Sequence, residues 1–213
     1  MTDPIDPQQV SNDADQDEFS ALRGKAIQAY ATVEQSLCRL FASWSGTTLD
    51  VAGIIFFKIV SASALHAILD KLLRKKHGAI YSLFWNSYLQ ILRQISEMRN
   101  QIVHWNAATF VGDNGFKEVG LIPPNVWDHG PNTPPPITTA ELLDFEAKCD
   151  FLACLANIFG FVTNLQTAAK MDVMNVQTWH GIFLQPVTYP PPSTHPLCPK
   201  PQAPESQPPP SPA

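Results

Sequence analysis

No run of 18 or more apolar residues occurs in the 213-residue chain, so no segment is long enough to cross a bilayer as a helix, and no membrane partner is expected. The longest apolar stretch near the C-terminus, Phe151 to Thr163, is interrupted by Asn157. The start is acidic and polar, which excludes a secretory signal there. Cysteine is scarce: Cys38, Cys149, Cys154 and Cys198 form no Cys-x-x-Cys pair. They read as small apolar residues of a reducing, cytoplasmic compartment, not as a disulfide or zinc framework. Glycine-rich phosphate loops, nucleophile elbows and His-Glu-x-x-His motifs are all missing. Asp128-His129 and His180 lack the spacing of metal ligands. No cofactor and no metal is therefore expected. No internal repeat is visible.

What is present is a large apolar inventory. Apolar residues make up 45% of the chain, with 12 Phe and 5 Trp, enough for a core in one domain. The net charge of −5 is uneven. Met1–Glu18 holds six acids (Asp3, Asp6, Asp13, Asp15, Asp17 and Glu18) and no base, which leaves 14 bases against 13 acids in the rest. A nearly neutral body neither demands nor forbids an anionic ligand. At the other end, Pro186–Ala213 carries 12 prolines in 28 residues. Proline fixes φ and removes backbone donors, so this reads as an extended, solvated terminus or a ligand for a proline-binding domain. The expected organisation is a disordered acidic head (1–17), a helical domain (18–185) and a disordered proline-rich tail (186–213).

The periodicity predicts an all-α fold, an up-and-down bundle of about four main helices. The first spans Phe19 to Trp44, with Leu22, Ala26, Ala29, Val33, Leu37, Leu40 and Trp44 at helical spacing; Gly46 closes it. A second helical segment lies within Asp50–His77, with a stripe of Val60, Ala64, Ala67, Ile68 and Leu72. It ends at Arg74-Lys75-Lys76-His77-Gly78, where positive charge suits the helix dipole and glycine the cap. A third runs from Ile80 to Trp105. Asn106–Ile137 then reads as a long loop carrying a hairpin around Asp113-Asn114-Gly115. Thr138-x-x-Glu141 forms a capping box that opens the fourth helix, which is expected to reach Ala169. Its segment Cys149–Val162 is apolar nearly all round, so it is central or lies at a subunit interface.

Chemistry concentrates at the end of the third helix, Glu97-Met98-Arg99-Asn100-Gln101-Ile102-Val103-His104-Trp105. Arg99 is a phosphate-binding cation and His104 a general acid/base. Counted at about 100° per residue from Ile91, the core stripe stays within about 40°, Arg99 lies at about 80°, Asn100 at about 180° and His104 at about 220°. His104 and Asn100 thus point away from the seam and Arg99 flanks it. On the first helix, Glu34 sits at the edge of the apolar stripe. A carboxylate there wants a counter-charge, and Arg99 is the natural partner. Lys71, Arg74, Lys75 and Lys76 form a basic cluster suited either to an RNA backbone or to solvent at a helix end.

Arg99, a polar Asn100 and His104 after a four-residue spacer, at the end of a helix and ahead of a long apolar one, resemble the signature of the HEPN family. Glu34 in a long first helix fits the same pattern, and the resemblance spans roughly Phe19 to Ala169. It implies a metal-independent endoribonuclease of toxin or defence type, a homodimer whose two Arg/His pairs form one cleft, and an antitoxin or other protein partner. It further implies that Arg99 stabilises the scissile phosphate, that His104 moves a proton and that Asn100 orients one of them. One branch of the family carries a tyrosine two residues after the histidine; this chain has Asn106 there. Family members that keep the fold without catalysis suggest the alternative, a non-catalytic interaction or nucleotide-binding module that meets its partner through the fourth helix and the Phe110–Ile122 hairpin.

Overall fold

The computed structural model describes residues 7–111, 117–124, 134–164 and 173–198. Six helices and one two-stranded sheet account for these residues: α1 (Pro7–Ser45), α2 (Leu49–Phe56), α3 (Ala62–His77), α4 (Ser82–His104), β1 (Asn106–Val111), β2 (Lys117–Ile122), α5 (Thr139–Thr163) and α6 (Val173–Ile182). The chain is mostly helical, as the periodicity predicts.

The most extensive packing joins α1 to α5. Val33, Leu37, Leu40 and Trp44 of the α1 stripe are all buried, as are Leu152, Leu155, Ala156 and Phe159 of α5. Close approach is possible because α5 carries Gly160, where a Cβ would lie 3.0 Å from the Leu40 side chain. Phe159 is the meeting point of the core. Its ring lies 5.9 Å from Trp44, 5.1 Å from Tyr81, 4.8 Å from Phe84 and 4.9 Å from Phe183. Edge-on and tilted rings at these separations add attraction beyond their area burial.

Local signals fix several boundaries. Gly46 and Gly78 follow α1 and α3 at φ 73° and 65°, a region side chains avoid. The Thr138 hydroxyl accepts from the Glu141 N–H, while the Glu141 carboxylate accepts from the Thr138 N–H at 2.7 Å. This completes the expected capping box. The hairpin pairs Asn106 with Ile122 and Phe110 with Glu118; its tip at Asp113-Asn114-Gly115 lies outside the described residues. Leu121 and Ile137 exchange two backbone bonds of 2.9 Å, which ties the hairpin to the start of α5.

Four expectations need correction. The acidic head was expected to be irregular to residue 17, yet α1 begins at Pro7. Proline suits a first helical position, and the exposed Asp15–Glu18 turn simply extends the packed helix. The second segment is two helices. Its predicted stripe is out of register: Val60 is 98% exposed and Ala64 and Ala67 face solvent, whereas Leu65, His66, Leu69 and Leu73 are buried. Counting from Val60 fails because the chain breaks there and restarts from the Ser61 cap, whose hydroxyl accepts from the Ala64 N–H. The third correction is α6, which the periodicity did not reveal.

The fourth concerns the first half of the proline-rich segment, which packs instead of lying in solvent. Val187, Tyr189 and Leu197 lie against the core. The Val187 N–H donates to Ser87 Oγ at 2.7 Å. Lys148 Nζ sits 5.0 Å above the Tyr189 ring, and Phe151 meets both Tyr189 and His195. Proline count alone misled, because each anchor needs only one apolar side chain between prolines. A chain ending at Pro186 should therefore lose about 1–3 kcal/mol of burial and melt about 4–8 °C below the full chain. An unchanged midpoint in differential scanning calorimetry would show that this strap contributes nothing.

Candidate functional site

The residues of the motif sit on the last two turns of α4, and α1 holds that end in place. Arg23 donates from Nε to the Ile102 carbonyl at 2.8 Å, and from Nη2 to those of Val103 at 2.9 Å and Trp105 at 3.1 Å. Carbonyls at a helix C-terminus have no intrahelical donor, and a cation suits the negative end of the dipole. One guanidinium from α1 thus supplies three of the missing donors. Sequence reasoning missed Arg23, since its partners lie some 80 positions away.

Arg99 points back at α1. Its guanidinium carbon lies 5.6 Å from the centroid of the buried Tyr30 ring, within cation–π range. Nη1 donates to Asn100 Oδ1 at 3.2 Å, while the buried Nε finds no acceptor among the described residues. Tyr30 is itself positioned by a 3.0 Å hydrogen bond to Ser96 Oγ. Burial pushes the Tyr30 phenol above its ordinary value. His104 and Asn100 are both exposed, on the faces that the helical count assigns them. Arg99 and His104 leave the helix about 140° apart, so a single chain does not aim both at one point. The groove of about 570 Å³ lies elsewhere, between the start of α1, the hairpin and the start of α5, and neither residue lines it.

Glu34 does not form the expected contact pair with Arg99; the described ion pairs are Arg74–Asp70 and Lys148–Asp144. Arg99 acts on it through space. Burial pushes the Glu34 carboxyl above its ordinary value, and the attraction of Arg99 offsets only part of that. Desolvation wins.

The basic cluster is not part of this site. Arg74 is bound to Asp70 by two bonds of 3.1 and 2.9 Å, and Lys76 Nζ donates to the Ser43 carbonyl at 2.8 Å. Lys71 and Lys75 remain exposed. All four stand before the turn into α4, whereas Arg99 lies 17 residues into that helix, about 25 Å along its axis. His180 shares a 3.3 Å hydrogen bond with Tyr81; Asp128 and His129 lie outside the described residues.

The chain matches no family model, no curated protein and no solved structure.

Two predictions follow from these contacts. Replacing Arg23 with Met strands three carbonyls, and should cost about 1–3 kcal/mol while speeding amide exchange across the last turn of α4. Unaltered exchange there would remove Arg23 as the staple. Glu34→Gln should raise stability at pH 7 by up to about 1 kcal/mol. The sign follows from the raised carboxyl. Below its ordinary range both states are protonated and nothing is lost; as pH rises through the folded value, the fold must hold a disfavoured charge. The gain should therefore shrink as the pH falls toward the carboxylate range. A loss of stability on substitution would instead mean that Glu34 and Arg99 pair directly in solution.

Proposed function

We propose that the chain is a HEPN-like up-and-down helical bundle of the cytoplasm that cleaves RNA without a metal, in the manner of a toxin or defence endoribonuclease. What carries this reading is Arg99: a half-buried cation, oriented by Tyr30 and Asn100, one turn below an exposed imidazole. A planar guanidinium matches two phosphate oxygens at once and stabilises the charge that develops on them. His104 takes the proton of the ribose 2′-hydroxyl. The 2′-oxygen forms a bond to phosphorus, the bond to the 5′-oxygen breaks, and that oxygen receives a proton. The products are a cyclic phosphate and a 5′-hydroxyl. Asn100 holds the guanidinium, and Glu34 tunes it from α1.

The divergence of Arg99 and His104 is met by a homodimer, in which the partner subunit's His104 completes the cleft around Arg99. An antitoxin protein would then act by covering that cleft. The same divergence favours a second reading, a non-catalytic RNA- or nucleotide-binding module in which Arg99 grips phosphate and nothing is cut. The face expected to serve such a module is largely spent, since α5 packs on α1.

Incubation of the purified chain with total RNA in EDTA separates the two. Wild type should cleave, because the internal hydroxyl is the nucleophile and Arg99 supplies the charge. His104→Ala, an exposed change, should melt as wild type does and lose about 100-fold or more in rate. Arg99→Lys should bind RNA and lose most of its activity, as an ammonium cannot form the bidentate contact. RNA binding without cleavage in wild type would leave the module reading. Equal cleavage by His104→Ala would end the catalytic one.

A further inference from the structure

Helix α2 carries its apolar residues on the wrong side for a core. Ala52 and Phe56 turn inward, and Phe56 meets Phe41 of α1 at 6.1 Å. The remaining apolar side chains face out: Leu49 is 54% exposed, Ile54 70% and Phe57 58%, with Val60 just beyond. Leu49 and Phe57 share a groove with Arg39 of α1. Arg39 also borders the neighbouring groove with Phe161 of α5, itself 53% exposed. The apolar surface thus runs from α2 across Arg39 to α5. A contiguous patch of this kind marks a docking surface and not a scattering of single residues.

Charge indicates what docks there. Arg39 lines both grooves and donates from Nη1 to Asn157 Oδ1 at 3.3 Å, and Asp50 is the one acid of α2. Lys58 follows α2 directly and is exposed, and Lys76 is tied to Ser43, which borders the same groove as Phe161. A second copy fits poorly. A face-to-face copy would gather two Arg39 and two Lys58 in one interface against two Asp50, a net positive charge to bury. A short helix with large apolar side chains outward and flexible cations around them is the arrangement that lies in a lipid headgroup layer. There the side chains enter the acyl boundary while lysine and arginine stems reach back to phosphates.

We propose that the outer face of α2, with Arg39, Lys58 and Phe161, docks the protein on a bilayer surface that bears anionic lipids. The contact is peripheral: α2 is eight residues long, about 12 Å, far short of a span. Its α1 residue Arg39 lies nine residues, about 13 Å along that helix, beyond Tyr30, which holds Arg99.

Co-sedimentation of the full chain with vesicles tests this. Wild type should pellet with vesicles of phosphatidylcholine and phosphatidylglycerol in equal parts. It should stay largely in solution with phosphatidylcholine alone, and high salt should release it. Ile54→Asp with Phe57→Asp should reduce pelleting about tenfold or more, and Arg39→Gln with Lys58→Gln should weaken it for anionic vesicles. Both side chains of the first pair are exposed, so its melt should match wild type. If that pair does not fold, Ile54→Asp alone reads the same surface. Wild type left in solution, equal binding to neutral vesicles, or undiminished pelleting of the Asp variants would overturn the proposal. So would a concentration-dependent dimer in sedimentation velocity that the same Asp substitutions dissolve, since a second copy would then cover the face.

Discussion

Phe159 touches aromatic rings from α1, the turn into α4, α4 itself and the end of α6. Trp44 comes from α1, Tyr81 from the turn into α4, Phe84 and Trp85 from α4 itself, and Phe183 from the end of α6. Removing that ring would leave five others without a common neighbour and open a void the backbone could not easily close, which is the costly kind of core change. The α1–α5 pair supplies the frame for it, and Gly160, the next residue, lets the two helices approach closely enough for the rings to meet.

That core sits toward one end of α4, and the motif toward the other. Aromatic packing alone would leave the last turn of α4 to fray, as helix ends do. Two contacts from α1 prevent this. Arg23 holds the terminal carbonyls, and Tyr30 lies under the Arg99 guanidinium while bonding Ser96. Both belong to the helix that α5 grips. The position of Arg99 therefore depends on the same α1 that forms half of the core, and a chemistry-bearing end is fixed without being buried. His104 remains exposed beyond the staple.

How much of this could be read in advance differed by the range of the interaction. The α1 stripe was legible because its burial is one-sided and uninterrupted for seven positions. The α5 cap was legible because Thr138 and Glu141 satisfy each other's backbone within four residues. The strands beside the hairpin tip were legible from the turn residues Asp113-Asn114-Gly115 between them. In α3 the stripe slipped by one residue, since a helix break at Phe57–Ser61 resets the phase and no residue there forbids a continuous helix. Arg23 left no local trace; a cation beside Leu22 looks like any solvated flank until α4 is laid against it. The strap at Val187, Tyr189 and Leu197 was hidden by its prolines. The exposure of Asn100 and His104 followed from a correct helical count, while the lack of contact between Glu34 and Arg99 could not, because a stripe-edge position fixes direction and not separation.

Glu34 was read from sequence as a partner of Arg99, and the basic cluster as a grip for an RNA backbone or a solvated helix end. Glu34 is near Arg99 but pulled only weakly, so burial outweighs that attraction and raises its carboxyl above the ordinary value. The cations of α3 stand before the turn into α4, whereas Arg99 lies about 25 Å along that helix from its start. Two of the four are also engaged locally, Arg74 with Asp70 and Lys76 with Ser43. Any anion that reaches Arg99 is met first by that guanidinium, since the Arg23 Nε and Nη2 are engaged by carbonyls of the helix end. Recognition at such a site depends on shape and hydrogen-bond direction more than on total charge. An apolar face set among cations answers to the reverse rule, since apolar area gives it adhesion and diffuse charge only selects the surface.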